Sequence, residues 1–119
     1  MSPSAPVGPY SPVVRAGDLV VCSGQLGLAA GALVAGGVPA EVTQAVENLA
    51  GLLATEGGSL GDVVKTTVFL TDMADFEAMN AAYVAAFGGR RPARTAVAVR
   101  ALPLGASVEV EAWAYLPRG

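Results

Sequence analysis

The eight residues Val63-Val64-Lys65-Thr66-Thr67-Val68-Phe69-Leu70 are rich in β-branched side chains and alternate, with Val64, Thr66, Val68 and Leu70 on one face. That pattern predicts a half-buried strand. Just beyond it stands Asp72, a residue type that caps helix N-termini. Phe76, Met79, Tyr83 and Phe87 then recur at helical spacing, and Gly88-Gly89 stops the helix. After a loop from Arg90 to Pro92, the run Thr95 to Val99 is strand-like again. Strand, helix and strand in succession make this segment a βαβ unit.

The same reading extends outward. Ser107 to Leu116 is a last strand, joined to the unit by Leu102-Pro103-Leu104-Gly105. Upstream, Ser59 to Asp62 is a turn. From Pro39 to about Glu56, Val42, Ala45, Val46, Leu49, Leu52 and Leu53 form a helical stripe, with Pro39 in the first turn, Glu41 at the positive end and Gly57-Gly58 as the stop. Gly24 to Gly37 holds five glycines and four alanines and reads as a long flexible connection. Val13-Val14-Arg15 and Leu19 to Ser23 flank Ala16-Gly17-Asp18 and predict a hairpin. Pro3 to Pro12, with four prolines, is an extended arm. The order is ββαβαββ, one α+β domain over residues 1–119, with a mixed sheet and both helices on one face.

Composition narrows what such a domain can do. Hydrophobic residues make up 53% of the chain and charged ones 14%, against about 45–50% and about 25% in ordinary domains. With both helices on one face, the other face of the sheet is bare, and the apolar excess predicts that another chain covers it. A closed ring and a two-fold dimer both meet that demand. The net charge is −3, and apart from Arg90, Arg91 and Arg94 the basic residues are scattered, so no nucleic-acid stripe exists. Three arginines and a proline in one loop suit a small anion. Histidine is absent and Cys22 is the sole cysteine. This excludes Ser-His-Asp triads, Cys-His dyads, histidine-containing zinc sites and intrachain disulfides. The N-terminus lacks the pattern of a secretory signal, and no run approaches a membrane span, which predicts a cytoplasmic protein without membrane contact.

The remaining acid-base groups are carboxylates, tyrosines and Lys65. Glu41, Glu47, Glu56, Asp75 and Glu77 fall on helices, where charges form the solvated face, and Asp18 and Asp62 fall in turns. Glu109 and Glu111 alternate with Val108, Val110 and Ala112, so both project from one sheet face, continued by Trp113 and Tyr115. A carboxylate beside an aromatic wall can act as a general acid or base. An ordinary strand with a wet outer face gives the same pattern, and spacing alone favours it. Arg94 precedes a strand and suits bidentate carboxylate recognition; a surface arginine paired with Glu109 or Glu111 fits the spacing equally. Asn80 lies beside the apolar stripe of its helix. Tyr10 either packs as a plug or presents its hydroxyl, and Ser23-Gly24-Gln25 ends a strand where glycine permits close backbone approach.

Together these segments resemble the RidA-like (YjgF) family of enamine/imine deaminases. The resemblance rests on Gly8-Pro9-Tyr10-Ser11-Pro12, Ser23-Gly24-Gln25, Gln44 to Leu49, Asp62 to Leu70, Asp75-Phe76 through Asn80, Pro92-Ala93-Arg94-Thr95 and Val108 to Ala112. These follow the family's order and cover nearly the whole chain. The resemblance implies a chorismate-mutase-like α+β fold and a homotrimer with three clefts between subunits. It implies hydrolysis of 2-imino acids to 2-keto acids and ammonia, a form of metabolite damage control, without cofactor or metal. In that scheme Arg94 holds the substrate carboxylate and Glu109 orients or activates a water. Tyr10, Ser23 and Asn80 match other substrate-binding positions, Tyr10 coming from the neighbouring subunit's side. Where such proteins often carry cysteine two residues after the arginine, this chain has Ala96, which argues against a thiol role. A non-catalytic carboxylate-binding trimer of the same family is the alternative expectation. Retention of both Arg94 and Glu109 favours catalysis over it, because binding a carboxylate requires only the arginine.

Overall fold

The computed structural model describes residues 6–118. Residues 1–5, which include the start of the predicted arm and of the N-terminus expected to lack a signal, lie outside the described residues. Val13–Ala16 (β1) and Leu19–Leu26 (β2) form the expected hairpin, its turn made by Gly17 at φ 62°. Leu28–Ala29 (β3) and Ala32–Leu33 (β4) pair with each other. Gly37–Thr55 (α1) follows, then Val63–Leu70 (β5), Phe76–Ala86 (α2), Ala93–Ala98 (β6) and Val108–Tyr115 (β7).

The main sheet has the order β1-β2-β7-β5-β6. Only β5 and β6, joined through α2, run parallel; the other pairs are antiparallel, so the sheet is mixed. β7, last in sequence, lies at its centre. Its inward residues Val108, Val110, Ala112 and Ala114 are fully buried. They pack with Val42, Val46, Leu49 and Leu53 of α1 and with Met79 and Tyr83 of α2 in one core. Both helices therefore cover the same face, as amphipathic stripes of this spacing require.

Four local expectations are corrected. The segment Gly24 to Gly37 is not a flexible connection: β2 runs on to Leu26, and β3 and β4 make a tight hairpin. Its leucines explain the order, since Leu26 and Leu28 bury with Ala106, Leu33 and Leu102 in a second small core. Gly27 serves close approach, because a Cβ there would lie 2.6 Å from Cα of Glu41. Asn48 ties the segment to α1, its amide donating to the carbonyls of Leu26 (3.1 Å) and Leu28 (3.0 Å).

The second correction concerns Val64, which is exposed rather than facing the core with Thr66, Val68 and Leu70. Val63 pairs with Ala114 but Lys65 with Trp113, so a bulge at Val64 turns Val63 inward instead. Third, Glu41 is not on a solvated face. It is buried, and its carboxylate accepts the backbone N–H of Ser107 at 2.9 Å. Fourth, Asp72 caps a short helical turn at Met73–Asp75, accepting from the N–H of Ala74, and α2 begins only after it.

The outer sheet face carries Leu19, Val97, Trp113 and Tyr115, all exposed, among Thr67, Thr95, Glu109 and Glu111. No helix among the described residues lies on it. No helix of the described residues is long and apolar enough to cross a membrane.

Candidate functional site

Arg94 enters the structure from the start of β6, an edge strand, opposite Thr66 of β5. Thr66 is fully buried beneath α2 and shares a 2.7 Å hydrogen bond with the hydroxyl of Tyr83. Register thus sends the Arg94 side chain to the helix side of the sheet. There its Nη1 donates to Asn80 Oδ1 at 2.8 Å and lies 3.6 Å from the sulfur of Met79. The guanidinium also stands over the Tyr83 ring at 5.0 Å and the Phe76 ring at 5.7 Å. Cation–π contacts of this kind contribute about 0.5–2 kcal/mol each, and a hydrogen bond to a charged group about 1.5–3 kcal/mol. Together they hold the guanidinium in one orientation.

Among the described residues every side-chain hydrogen bond of Arg94 runs through Nη1, its other side-chain donors are unpaired, and the residue lines a pocket of about 300 Å³. Asn80, Tyr83, Val84, Arg91, Pro92 and Arg94 line that pocket. Burial pushes the Tyr83 hydroxyl above its ordinary pKa, against the opposing effects of the Thr66 hydrogen bond and the Arg94 charge, so it stays a neutral phenol. The sequence marked Arg94 and Asn80 separately. It did not mark Tyr83 and Phe76 as partners of the arginine, because their helical spacing signals only core.

Glu109 lies on the other face. It alternates with buried Val108 and Val110 and pairs with Phe69 on one side and Leu26 on the other. From Arg94 it is three residues along and two strands across, roughly 14 Å between Cα positions on standard strand spacings. Arg94 therefore forms no pair with Glu109 or Glu111 within one chain.

The seat of Glu109 is a bulge in β2. Pairing shifts by one residue between Cys22 and Gln25, and Gly24 falls in the shift. A Cβ on Gly24 would lie 2.8 Å from the carboxyl carbon of Glu109. The side chain thus lies directly across the glycine backbone. Burial, and secondarily the charge of Glu111, raise the Glu109 pKa above the ordinary carboxylate value.

Next to this seat, the Ser23 hydroxyl donates to the carbonyl of Ser11 at 2.7 Å, and its N–H donates to the carbonyl of Pro12. Both bonds pin the N-terminal arm to β2. Tyr10 is exposed on that arm, its hydroxyl accepting the N–H of Val7 at 3.3 Å. The five marked residues thus fall into two groups. Asn80 and Arg94 lie on the helix side of the β6 edge, and Glu109, Ser23 and Tyr10 gather about the β2 bulge and the arm.

A larger concavity of about 410 Å³ surrounds Arg15, Glu56, Leu116 and Arg118. The Arg15 guanidinium there is already engaged, with Glu56 at 3.0 Å and the carbonyls of Gly17 and Leu116. It ties the hairpin to α1 and the chain's last strand. Among the described residues no three His, Cys, Asp or Glu side chains converge where they could hold a metal ion.

Known proteins resemble this chain over nearly its whole length. The chain is 47% identical over 110 residues to the 2-iminobutanoate/2-iminopropanoate deaminase of Mus musculus, covering 91% of this chain and 82% of that one. It is 43% identical over 108 residues to the enzyme of the same name from Homo sapiens, covering 89% and 79%. Among solved structures, RidA from an Antarctic Psychrobacter superposes with a TM-score of 0.90 at 44% identity, covering 97% of this chain and 94% of that one. TdcF of E. coli, solved with bound serine, superposes with a TM-score of 0.87 at 33% identity, covering 99% and 94%. The family model described as Endoribonuclease L-PSP matches residues 2–116, and the chain belongs to this RidA/YjgF family.

Proposed function

We propose that the protein hydrolyses reactive 2-imino acids to 2-keto acids and ammonia, in clefts between the subunits of a homotrimer. The observation that carries this reading is the fixed guanidinium of Arg94, held by Asn80 and two aromatic rings, with unpaired donors beside a pocket of about 300 Å³ that the residue lines. Such a fork takes a carboxylate in two parallel hydrogen bonds and sets the orientation of the atoms attached to it. The relatives named 2-iminobutanoate/2-iminopropanoate deaminase support this choice of substrate class.

The chemistry asks little of the protein. The imine carbon is electrophilic, and Arg94 presents it by its carboxylate. Glu109 accepts a hydrogen bond from a water and takes its proton as oxygen bonds to the imine carbon. That proton passes to the nitrogen; the hydroxyl of the resulting carbinolamine then gives up its own proton, which Glu109 relays to the nitrogen as the carbon–nitrogen bond breaks, so ammonia leaves and the carbonyl of the keto acid forms. Tyr10 and Ser23 complete the substrate pocket from the arm and the β2 bulge. Because Arg94 and Glu109 of one chain face opposite sides of the sheet, they serve one substrate only when two chains meet. The uncovered outer face with Trp113 and Tyr115 supplies a surface for that meeting.

The family's description names a nuclease. A net charge of −3 and the lack of a basic stripe favour a small anion over a phosphate backbone. The test generates 2-imino acids with an amino-acid oxidase and traps them as semicarbazones. Faster imine loss with wild type, absent with Arg94→Ala in an intact oligomer, supports the deaminase. No acceleration with any imine leaves the carboxylate-binding trimer.

A further inference from the structure

We infer that Arg91 makes this pocket selective for imino acids whose side chain ends in a second carboxylate. The inference rests on the deaminase reading for the reaction, and on the pocket alone for the ligand. Arg91 and Arg94 line the same concavity of about 300 Å³, with Asn80, Tyr83, Val84 and Pro92. No acidic side chain lines it, so two guanidinium charges share a space with no counter-charge from this chain. Among the described residues the Arg91 side chain has no hydrogen bond and no ion pair, whereas Arg15, in the concavity beside Glu56, is fully engaged.

The two arginines also differ in how they are held. Arg94 is half-buried and fixed from below. Arg91 is exposed and sits before Pro92, whose ring restricts the preceding residue to extended backbone. That arrangement suits a fixed clamp for the common carboxylate and an adjustable cation for a variable one. Arginine keeps its charge at any working pH. An aliphatic imino acid would leave the Arg91 charge without a partner, and would meet only Val84 and Pro92 as aliphatic side chains in the pocket. A ligand with two carboxylates matches both cations, against an overall charge of −3 that otherwise repels it.

The test has two readouts. Semicarbazide trapping compares imines made from aspartate or glutamate with those made from alanine or leucine, each by a suitable oxidase. Calorimetry compares binding of 2-oxoglutarate with 2-oxobutanoate. Wild type is expected to favour the dicarboxylate at least tenfold in both. Arg91→Gln should bring that ratio close to one, and Arg91→Lys should keep part of it. Arg100→Gln, which removes the same charge two residues beyond β6 and about 20 Å from Arg94 on standard strand spacing, should keep the wild-type ratio. A wild type without preference, or an Arg91→Gln variant that retains it, overturns the inference. Should wild type consume no imine yet keep a dicarboxylate preference that Arg91→Gln abolishes, the deaminase reading fails and the role of Arg91 stands.

Discussion

The carboxylate of Glu109 lies across the backbone of Gly24, in the space that a side chain on residue 24 would fill. The glycine sits where the pairing of β2 with β7 slips by one residue. The bulge and the missing Cβ together form a seat for the carboxylate, and Ser23, next to Gly24, pins the arm through the carbonyl of Pro12. Close backbone approach at a glycine in a strand is an expected use of that residue.

Gly24→Ala should therefore act on catalysis through Glu109. The added methyl forces the carboxylate aside, and misplacement by about an ångström can cost on the order of 100-fold in rate. We expect kcat to fall by about that factor, while keto-acid binding, carried by the Arg94 clamp of the facing chain rather than by Glu109, changes much less. The overpacking should also cost about 1–3 kcal/mol of stability. Steady-state kinetics beside keto-acid titration checks this, and an unaltered kcat would remove Glu109 from the reaction.

The environment of Glu109 sets a pH dependence. Its pKa is raised, first by burial and then by Glu111, and in the proposed mechanism the form that takes a proton from water is the ionised one. Activity should thus fall with acid from a pH above the ordinary carboxylate range. Glu111→Gln removes the second cause, so the acidic limb should move to lower pH. The sign for stability is opposite: a raised folded pKa contributes stability at low pH that is lost as pH rises through that value. Glu109→Gln should consequently be as stable as wild type, or more so, at neutral pH while losing activity. An acidic limb that ignores Glu111→Gln contradicts this account.

How much of this was legible in the sequence differs between levels. The apolar stripes of α1 and α2 showed which side of each helix is buried, and one shared sheet face was the simplest arrangement; the common core with Val108, Val110, Ala112 and Ala114 is what establishes it. The bulge at Val64 was not legible, since its alternation with Thr66 and Val68 is unbroken in sequence and only the pairing partner Trp113 reveals the slip. Nor was the hairpin in Gly24 to Gly37, whose glycines resemble a linker until Leu26, Leu28 and Leu33 find Leu102 and Ala106. At the site, Arg94 and Asn80 could each be named, but their 2.8 Å bond requires the β5–α2–β6 geometry. Local pattern carries faces and periods; partners separated in sequence emerge from packing.

Cys22 provides a test independent of function. It is buried in the core on the helix side of β2, and burial pushes its thiol up to about 11. At pH 7.5 that leaves roughly one part in 3,000 as thiolate, against about a tenth for a free cysteine. Folded protein should resist a thiol reagent for hours and react with one equivalent in denaturant. Rapid labelling of the native protein would contradict the packing of β2 against α1.

The separation of Arg94 and Glu109 across the sheet gives the last prediction. If each site takes the arginine from one chain and the glutamate from the next, two inactive variants can rescue each other. Arg94→Ala and Glu109→Gln should each be nearly inactive alone. Mixed one to one and refolded together, they form interfaces in which one chain supplies an intact Arg94 and its neighbour an intact Glu109. Random assembly of a cyclic oligomer makes that pairing at roughly a quarter of the sites, so about a quarter of wild-type activity should return. Mixing without subunit exchange should restore nothing. Placing a charge on the outer face, as in Trp113→Glu, should break the oligomer and abolish activity with Arg94 and Glu109 both present. Activity retained by a Trp113→Glu monomer, or no recovery on co-refolding, would place both residues' work within a single chain, against the opposite faces from which they project.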